Sequence, residues 1–195
     1  SGAQTFADTL LEKIPGANIA LVTFSTNAIV AREFANADFD NDTDDTTAAA
    51  DFGSPNGGTN LHAGLIVANQ LFNDSNIPSD AYKYVVVISD GQPTYYMDGT
   101  EVEGEGNYTN KATLDATFDM ANTLKSSTGT NAEMFSIGYL LPEGNVYDDT
   151  DSSNTYGKLT AADILRDVAT VDSDEDVQNN VKHYMDSDPT VIASS

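Results

Sequence analysis

Tyr84-Val85-Val86-Val87-Ile88 is an unbroken apolar run with no polar alternation. A strand with one face in water alternates polar and apolar residues. A continuous run instead reads as a strand covered on both faces, as in a parallel sheet flanked by helices. Open sheets of that kind place ligands outside the carboxyl ends of their strands, which puts Asp90 on the rim of any binding face. Gly91 then lets the chain turn sharply away.

Strands and helical patterns alternate along the rest of the chain. Phe6, Leu10, Leu11 and Ile14 share one helical face, and Pro15-Gly16 closes that helix. Ile19 to Phe24 reads as a second buried strand. Ser25-Thr26-Asn27 reads as a tight turn into a shorter, more polar strand from Ala28 to Phe34, suited to an antiparallel sheet edge. Leu61, Leu65, Ala68 and Phe72 mark an amphipathic helix, and Leu114, Phe118, Ala121 and Leu124 mark another that stops at Ser126 to Gly129. Met134 to Tyr139 reads as a strand. Thr160 can cap a helix through Ile164, Leu165 and Val168, with Asp163 in its favourable first turn. Lys182 to Met185 reads as a last short strand, and Pro189 suits a first helical position. Gln92 to Asn110, rich in glycine and tyrosine, is expected to be an exposed excursion over the strand end, and Leu140 to Gly157 an acidic loop. This order predicts a single α/β domain over residues 1–195. The expected architecture is a three-layer α/β/α sandwich, mostly parallel, with one antiparallel edge strand.

Composition excludes several function classes. The chain carries 31 acidic and 8 basic residues, a formal net charge of −23. Phosphate backbones are repelled by such a surface, so nucleic acid is not an expected partner. Without cysteine there are neither disulfides nor thiolate metal sites. No apolar run approaches the roughly 18 residues of a membrane span, and no membrane insertion is expected of this segment.

Two short motifs carry candidate chemistry. Gly57-Gly58-Thr59-Asn60 opens a helical pattern, and Ser89-Asp90-Gly91 closes the central strand. A threonine hydroxyl and a carboxylate are hard oxygen ligands of the kind Mg²⁺ and Ca²⁺ take. The same residues also suit purely structural roles, Thr59 as a helix cap and Asp90 as a turn cap, and the motifs alone leave both readings open. The alternation Asp38, Asp40, Asp42, Asp44 invites comparison with a calcium loop. Thr43 stands where an EF-hand needs glycine and Ala49 where it needs glutamate, so the stretch reads as a solvated acidic loop. Tyr95, Tyr96 and Tyr108 suit either a recognition surface or the packing of a long loop. His62, beside Leu61, reads as exposed or capping. With His183 it completes the histidine count, too few for a histidine-rich metal site. Asn41, Asn73 and Asn107 begin glycosylation sequons, which matter only in a eukaryotic secretory setting.

The ordered set Ile19-Ala20-Leu21-Val22-Thr23-Phe24-Ser25, Gly57-Gly58-Thr59-Asn60, Val87-Ile88-Ser89-Asp90-Gly91 and Phe135-Ser136-Ile137-Gly138-Tyr139 resembles a von Willebrand factor type A domain. Ser89-Asp90-Gly91-Gln92-Pro93-Thr94, followed by a glycine- and tyrosine-rich loop, is similar to the version on bacterial cell-surface and pilus-associated proteins. The resemblance implies a non-catalytic adhesion or protein-binding module, extracellular or on the cell surface. Its ligand would be a protein, such as a host or matrix surface protein, engaged through a carboxylate. It also implies a metal-ion-dependent adhesion site holding Mg²⁺ or Ca²⁺, with Thr59 and Asp90 among the ligands and Tyr95 and Tyr96 as candidate contacts. The family's Asp-x-Ser-x-Ser loop has no match here, and by spacing Ser1-Gly2-Ala3 already lies in the first helix. The expectation is a domain lacking its first strand, that loop and the end of its last helix, with weak or absent metal binding by this segment. In the family's strand order, 3-2-1-4-5-6, the unmatched strand is central. Asn18 to Phe24 and Tyr84 to Asp90 would flank it and would not pair with each other.

The alternative from another class is a Mg²⁺-dependent phosphoryl-transfer enzyme of the haloacid-dehalogenase type, whose Asp-x-Asp-x-Thr pattern can be laid on Asp90, Gln92 and Thr94. Gln92 occupies the acid/base position and cannot move the required proton.

Overall fold

The computed structural model of the chain describes residues 2–36, 57–74, 77, 78, 80–149, 155–173 and 182–187. The Asp38 to Asp44 alternation, Asn41 and Pro189 lie outside these residues.

The first helix, α1 (Gly2–Lys13), ends before Pro15, and Gly16 follows at φ +93°, where a side chain would be strained. Ala7 is buried, Leu10 and Leu11 are half-buried, and Ile14 is exposed, so the expected apolar face is covered only in part. Strand β1 (Ile19–Phe24) turns at Ser25-Thr26-Asn27 into β2 (Ala28–Ala35). The two pair antiparallel from Ile19 with Ala35 to Phe24 with Ala28, with irregular register around Leu21.

A second sheet is wholly parallel. In it, β3 (Tyr84–Ser89) pairs with β6 (Glu133–Tyr139), from Tyr84 with Glu133 to Ser89 with Gly138. Strand β6 in turn pairs with β9 (Tyr184–Ser187), from Ser136 with Tyr184 to Tyr139 with Ser187. Among the described residues β1 and β3 share no ladder, as the strand order implied by the resemblance requires.

One hydrophobic core joins the layers. Helix α2 (Leu61–Asp74) contributes Leu61 and Leu65, and α3 (Lys111–Lys125) contributes Leu114, Phe118, Ala121 and Leu124. Ile164, Leu165 and Val168 come from α4 (Ala161–Val168). They close on Val87 of β3 and Met134 of β6. Each fully buried leucine or isoleucine here contributes about 1.5–3 kcal/mol of transfer free energy. Helix starts are fixed by short side chains. Asn110 and Thr113 form a reciprocal capping box on α3, and Thr160 and Asp163 form one on α4.

Three sequence expectations need correction. The central run is packed on one face, where Val85 and Val87 meet the core. On the other face Tyr84, Val86 and Ile88 are 54%, 37% and 41% exposed. Gln92 to Asn110, expected as an exposed excursion, carries regular structure. It folds into a hairpin of β4 (Tyr95–Asp98) and β5 (Glu101–Gly104), turning at Gly99, with Thr94 and Thr109 buried on either side. The acidic stretch after Leu140 contains β7 (Asn145–Asp148), paired antiparallel with β8 (Lys158–Thr160). Tyr147 is buried there, meets Tyr156 edge-on, and Tyr156 meets Phe118 likewise. Sparse aromatic residues gave that stretch a fold that its charge concealed.

Candidate functional site

Three loops meet at the carboxyl ends of β1 and β3. Asn60 is fully buried and ties them together. Its side-chain Oδ1 accepts the N–H of Ala63 at 2.9 Å, which makes Asn60 the N-cap of α2. Its Nδ2 donates to the Thr26 carbonyl at 2.9 Å, and its main-chain N–H donates to the Ser25 carbonyl at 2.6 Å. One residue earlier, the Thr59 carbonyl accepts the N–H groups of Thr94 (2.8 Å) and Tyr95 (3.2 Å), and the Thr59 N–H donates to Thr94 Oγ1 at 2.8 Å. A single stretch of backbone therefore holds the loop after β1 on one side and the segment after β3 on the other.

Glycine makes this crowding possible. A Cβ on Gly58 would lie 2.1 Å from Thr94 Oγ1 and 2.7 Å from the Gly106 carbonyl oxygen. Gly91 has φ +72°, and a Cβ there would lie 2.6 Å from the Ala161 carbonyl oxygen, against the first turn of α4. The sharp turn read from the sequence after Asp90 is thus also a close approach of two backbones.

The cap position separates the two readings of Thr59. Asn60, not Thr59, caps the helix, and the half-buried Thr59 hydroxyl has no hydrogen-bond partner among the described residues. Asp90 is exposed. Its Oδ1 accepts the Gln92 N–H at 3.3 Å and a long 3.5 Å contact from Ser89 Oγ, while Oδ2 has no partner among the described residues. Asp90 therefore closes its turn with one oxygen and offers the other to solvent. Mg²⁺ takes about six oxygens in near-octahedral geometry. Thr59 and Asp90 supply two donors carrying a single negative charge, and no group of three or more His, Cys, Asp or Glu among the described residues could hold a metal. Two such donors are fewer than a divalent cation takes, and the described residues complete no such set.

The tyrosines divide by role. Tyr95 is half-buried, and a Cβ on Gly106 would lie 2.2 Å from its hydroxyl oxygen and one on Gly58 2.8 Å from its ring, so the ring packs on glycine backbone. Tyr96 is half-buried beside it, and Tyr108 is exposed. His62 is neither exposed nor the cap. Its Nδ1 accepts the Met97 N–H at 3.0 Å, pinning the β4–β5 hairpin to α2. Burial lowers its pKa below the ordinary imidazole value, against a smaller opposing pull from Asp119. Asn60 was not legible as the junction from local sequence, although an asparagine directly before the apolar stripe of α2 is a recognised helix-start signal.

The von Willebrand factor type A domain model matches residues 1–92. A comparison with curated proteins returned no match. Among solved structures, the chain resembles the pilus adhesin SpaC from Lactobacillus rhamnosus GG in its open conformation, with TM-score 0.62 and 19% identity. The alignment covers 98% of this chain and 26% of that one. It also resembles the manganese-loaded TRAP protein of Plasmodium vivax, with TM-score 0.55 and 16% identity, covering 98% of this chain and 62% of that one. The chain thus spans about a quarter of the length of the adhesin. The family model thus matches just under half of the chain, and the fold shared with these structures over nearly its whole length is von Willebrand factor type A-like.

Proposed function

We propose that this chain is a non-catalytic protein-binding module of a surface-exposed, pilus-type adhesin. Its recognition face lies at the carboxyl ends of β1 and β3, around Thr59 and Asp90, with the β4–β5 hairpin and Tyr96 at its margin. One observation supports this above the rest: the three-loop junction leaves the Thr59 hydroxyl and Asp90 Oδ2 without partners among the described residues, while the Thr59 main chain and the neighbouring Asn60 side chain are hydrogen-bonded. Two hard oxygen donors held by a rigid backbone and left unused suit a divalent cation, Mg²⁺ or Ca²⁺, whose remaining positions go to water and to a carboxylate of the partner. The cation would supply attraction between two acidic surfaces. This chain's own residues hold the two oxygens in place and present the hairpin beside them. A partner of this kind is a host or matrix surface protein, and the setting is extracellular.

The test is adhesion of the protein to a panel of immobilised extracellular-matrix proteins, with divalent cation or with excess EDTA. Wild type is compared with Asp90→Ala, Thr59→Ala and Tyr96→Ala. Adhesion that depends on the cation should disappear in Asp90→Ala without a change in thermal stability, because the side chain lies outside the core. Adhesion that persists unchanged both in that variant and in EDTA removes the cation from the mechanism and leaves the hairpin tyrosines as the contact.

A further inference from the structure

His183 is 1% exposed, the most enclosed ionisable side chain among the described residues. It stands directly ahead of β9. Its Nδ1 lies 2.7 Å from Asp172 Oδ1 and its Nε2 lies 2.7 Å from Glu133 Oε1. Its main-chain N–H donates to the same Asp172 oxygen at 3.0 Å, and its carbonyl accepts the Ser136 N–H at 2.7 Å. The ring stacks on Phe135 with centroids 4.7 Å apart.

This geometry selects a protonation state. A neutral imidazole has one N–H and can donate to one carboxylate, leaving its other lone pair against a carboxylate oxygen at hydrogen-bond distance. An imidazolium donates to both, in charge-assisted bonds. Glu133 opens β6 and Asp172 lies in the segment after α4, so the charged ring fastens three pieces of chain. Strand β9 needs such a fastener, since it is four residues long and among the described residues pairs with β6 alone. The charged groups around the clasp are already engaged. Lys83 gives its carbonyl to the Glu133 N–H and its ammonium to the Thr130 carbonyl. Arg166 pairs with Asp163 and lies 5.0 Å over the Tyr184 ring, and the Tyr184 hydroxyl donates to Asp186.

We propose that His183 is a proton-operated latch. Charged, it fastens β9 to β6 and to the segment behind α4. Uncharged, it lets β9 leave and opens the β6 edge, from Ser136 to Tyr139, to another strand. Burial opposes the charge, and the hydrogen bonds and charges of Glu133 and Asp172 outweigh it, so the pKa is raised above the ordinary imidazole value. A raised native value means that the latch is fully engaged below about pH 6.5, the free imidazole value, and is lost as pH rises through the native one. Release is therefore alkaline, and the opening constant of β9 climbs by up to about tenfold per pH unit within that window.

The test follows the His183 ring by NMR titration and measures hydrogen-exchange protection of the β6–β9 ladder. Both are carried through the window in the whole chain and in His183→Gln, Glu133→Gln and Asp172→Asn. Wild-type protection should fall about tenfold per pH unit above pH 6.5. It should be flat with pH in His183→Gln, and its window should narrow in the two carboxylate variants. The carboxylate variants decide the matter if His183→Gln does not fold. A His183 ring that titrates at or below its free value, or a ladder whose pH profile is the same in wild type and Glu133→Gln, overturns the proposal.

Discussion

Replacing Asn60 should separate its role as a helix cap from its role as a loop junction. In Asn60→Ala the N–H of Ala63 loses its acceptor, a cap loss worth about 1 kcal/mol. The Thr26 carbonyl loses its donor as well. It sits on a half-buried residue, so its penalty falls at the low end of about 1–3 kcal/mol. The alanine variant should lose about 2–3 kcal/mol, a large share of the roughly 5–15 kcal/mol by which domains are stable. Asn60→Asp keeps the capping oxygen and gains from the positive end of α2, by about 0.3–1 kcal/mol. It also loses the Nδ2 donor and sets a carboxylate against the Thr26 carbonyl at a position with 0% exposure. An unpaired buried charge costs several kcal/mol, so aspartate, an excellent cap elsewhere, should be at least as damaging here as alanine. Urea unfolding of the three proteins measures this, with the midpoint shifting and the slope unchanged. If Asn60→Asp lies within about 0.5 kcal/mol of wild type, the cap is the whole role and the loop junction carries nothing.

Three further outcomes are expected. Burial lowers the pKa of His62, so its contribution to stability is complete above about pH 6.5 and is lost as pH falls through the lowered value, with a slope of up to about 1.4 kcal/mol per pH unit. In His62→Asn, whose amide oxygen can replace Nδ1 as acceptor for Met97, that part of the acid limb of the stability profile should vanish. Gly64→Ala would gain about 1 kcal/mol on an exposed helix. Here the new Cβ meets Phe24 Cδ1 at 2.9 Å, and calorimetry should show a net loss of about 1–3 kcal/mol, whereas a raised Tm would mean that β1 gives way freely. Alternate amides of β3 point away from β6, and no ladder covers that edge among the described residues, so native-state exchange should find them fast beside protected neighbours; uniform protection along β3 would show that the edge is paired.

Periodicity told most of the fold, because helices and strands that bury one face must declare it in sequence. The stripes through Leu61–Phe72 and Leu114–Leu124 became α2 and α3, and Thr160 with Asp163 capped α4 as read. Two kinds of feature stayed hidden. The hairpin at Tyr95–Gly104 and the β7–β8 pair are held by partners distant in sequence, such as His62 for Met97 and Phe118 for Tyr156, and local pattern carries no trace of those. The outward face of β3 was hidden for a different reason. An unbroken apolar run records what a strand is suited to touch, while Tyr84, Val86 and Ile88 remain exposed in the described chain. At the site, Thr59 and Asp90 were legible as oxygen donors. What leaves Thr59 unused is the shift of the cap by one residue to Asn60, and both types are good caps, so sequence alone could not choose between them.

Among the described residues β1 and β3 share no ladder, and the loops after them are joined through the start of α2 instead. In a continuous sheet the loops after two neighbouring strands are spaced by the ladder itself. Here the spacing falls to α2, which seats Leu61 and Leu65 in the core with Val87, lays Gly64 against Phe24, and presents the Thr59–Asn60 peptide to both loops. That peptide is a rigid plane with its oxygen bonded toward Thr94 and its nitrogen toward Ser25, so it acts as a strut between the two halves. The position of Thr59 relative to Asp90 is therefore coupled to how firmly α2 is seated. On the proposed binding role, a cation or ligand group bridging the two would tighten the strut. By thermodynamic reciprocity, whatever loosens the strut must weaken the bridge by the same factor. On the proposed binding role, Asn60 would touch no ligand and would still set the affinity of the face through the geometry it imposes on its neighbour.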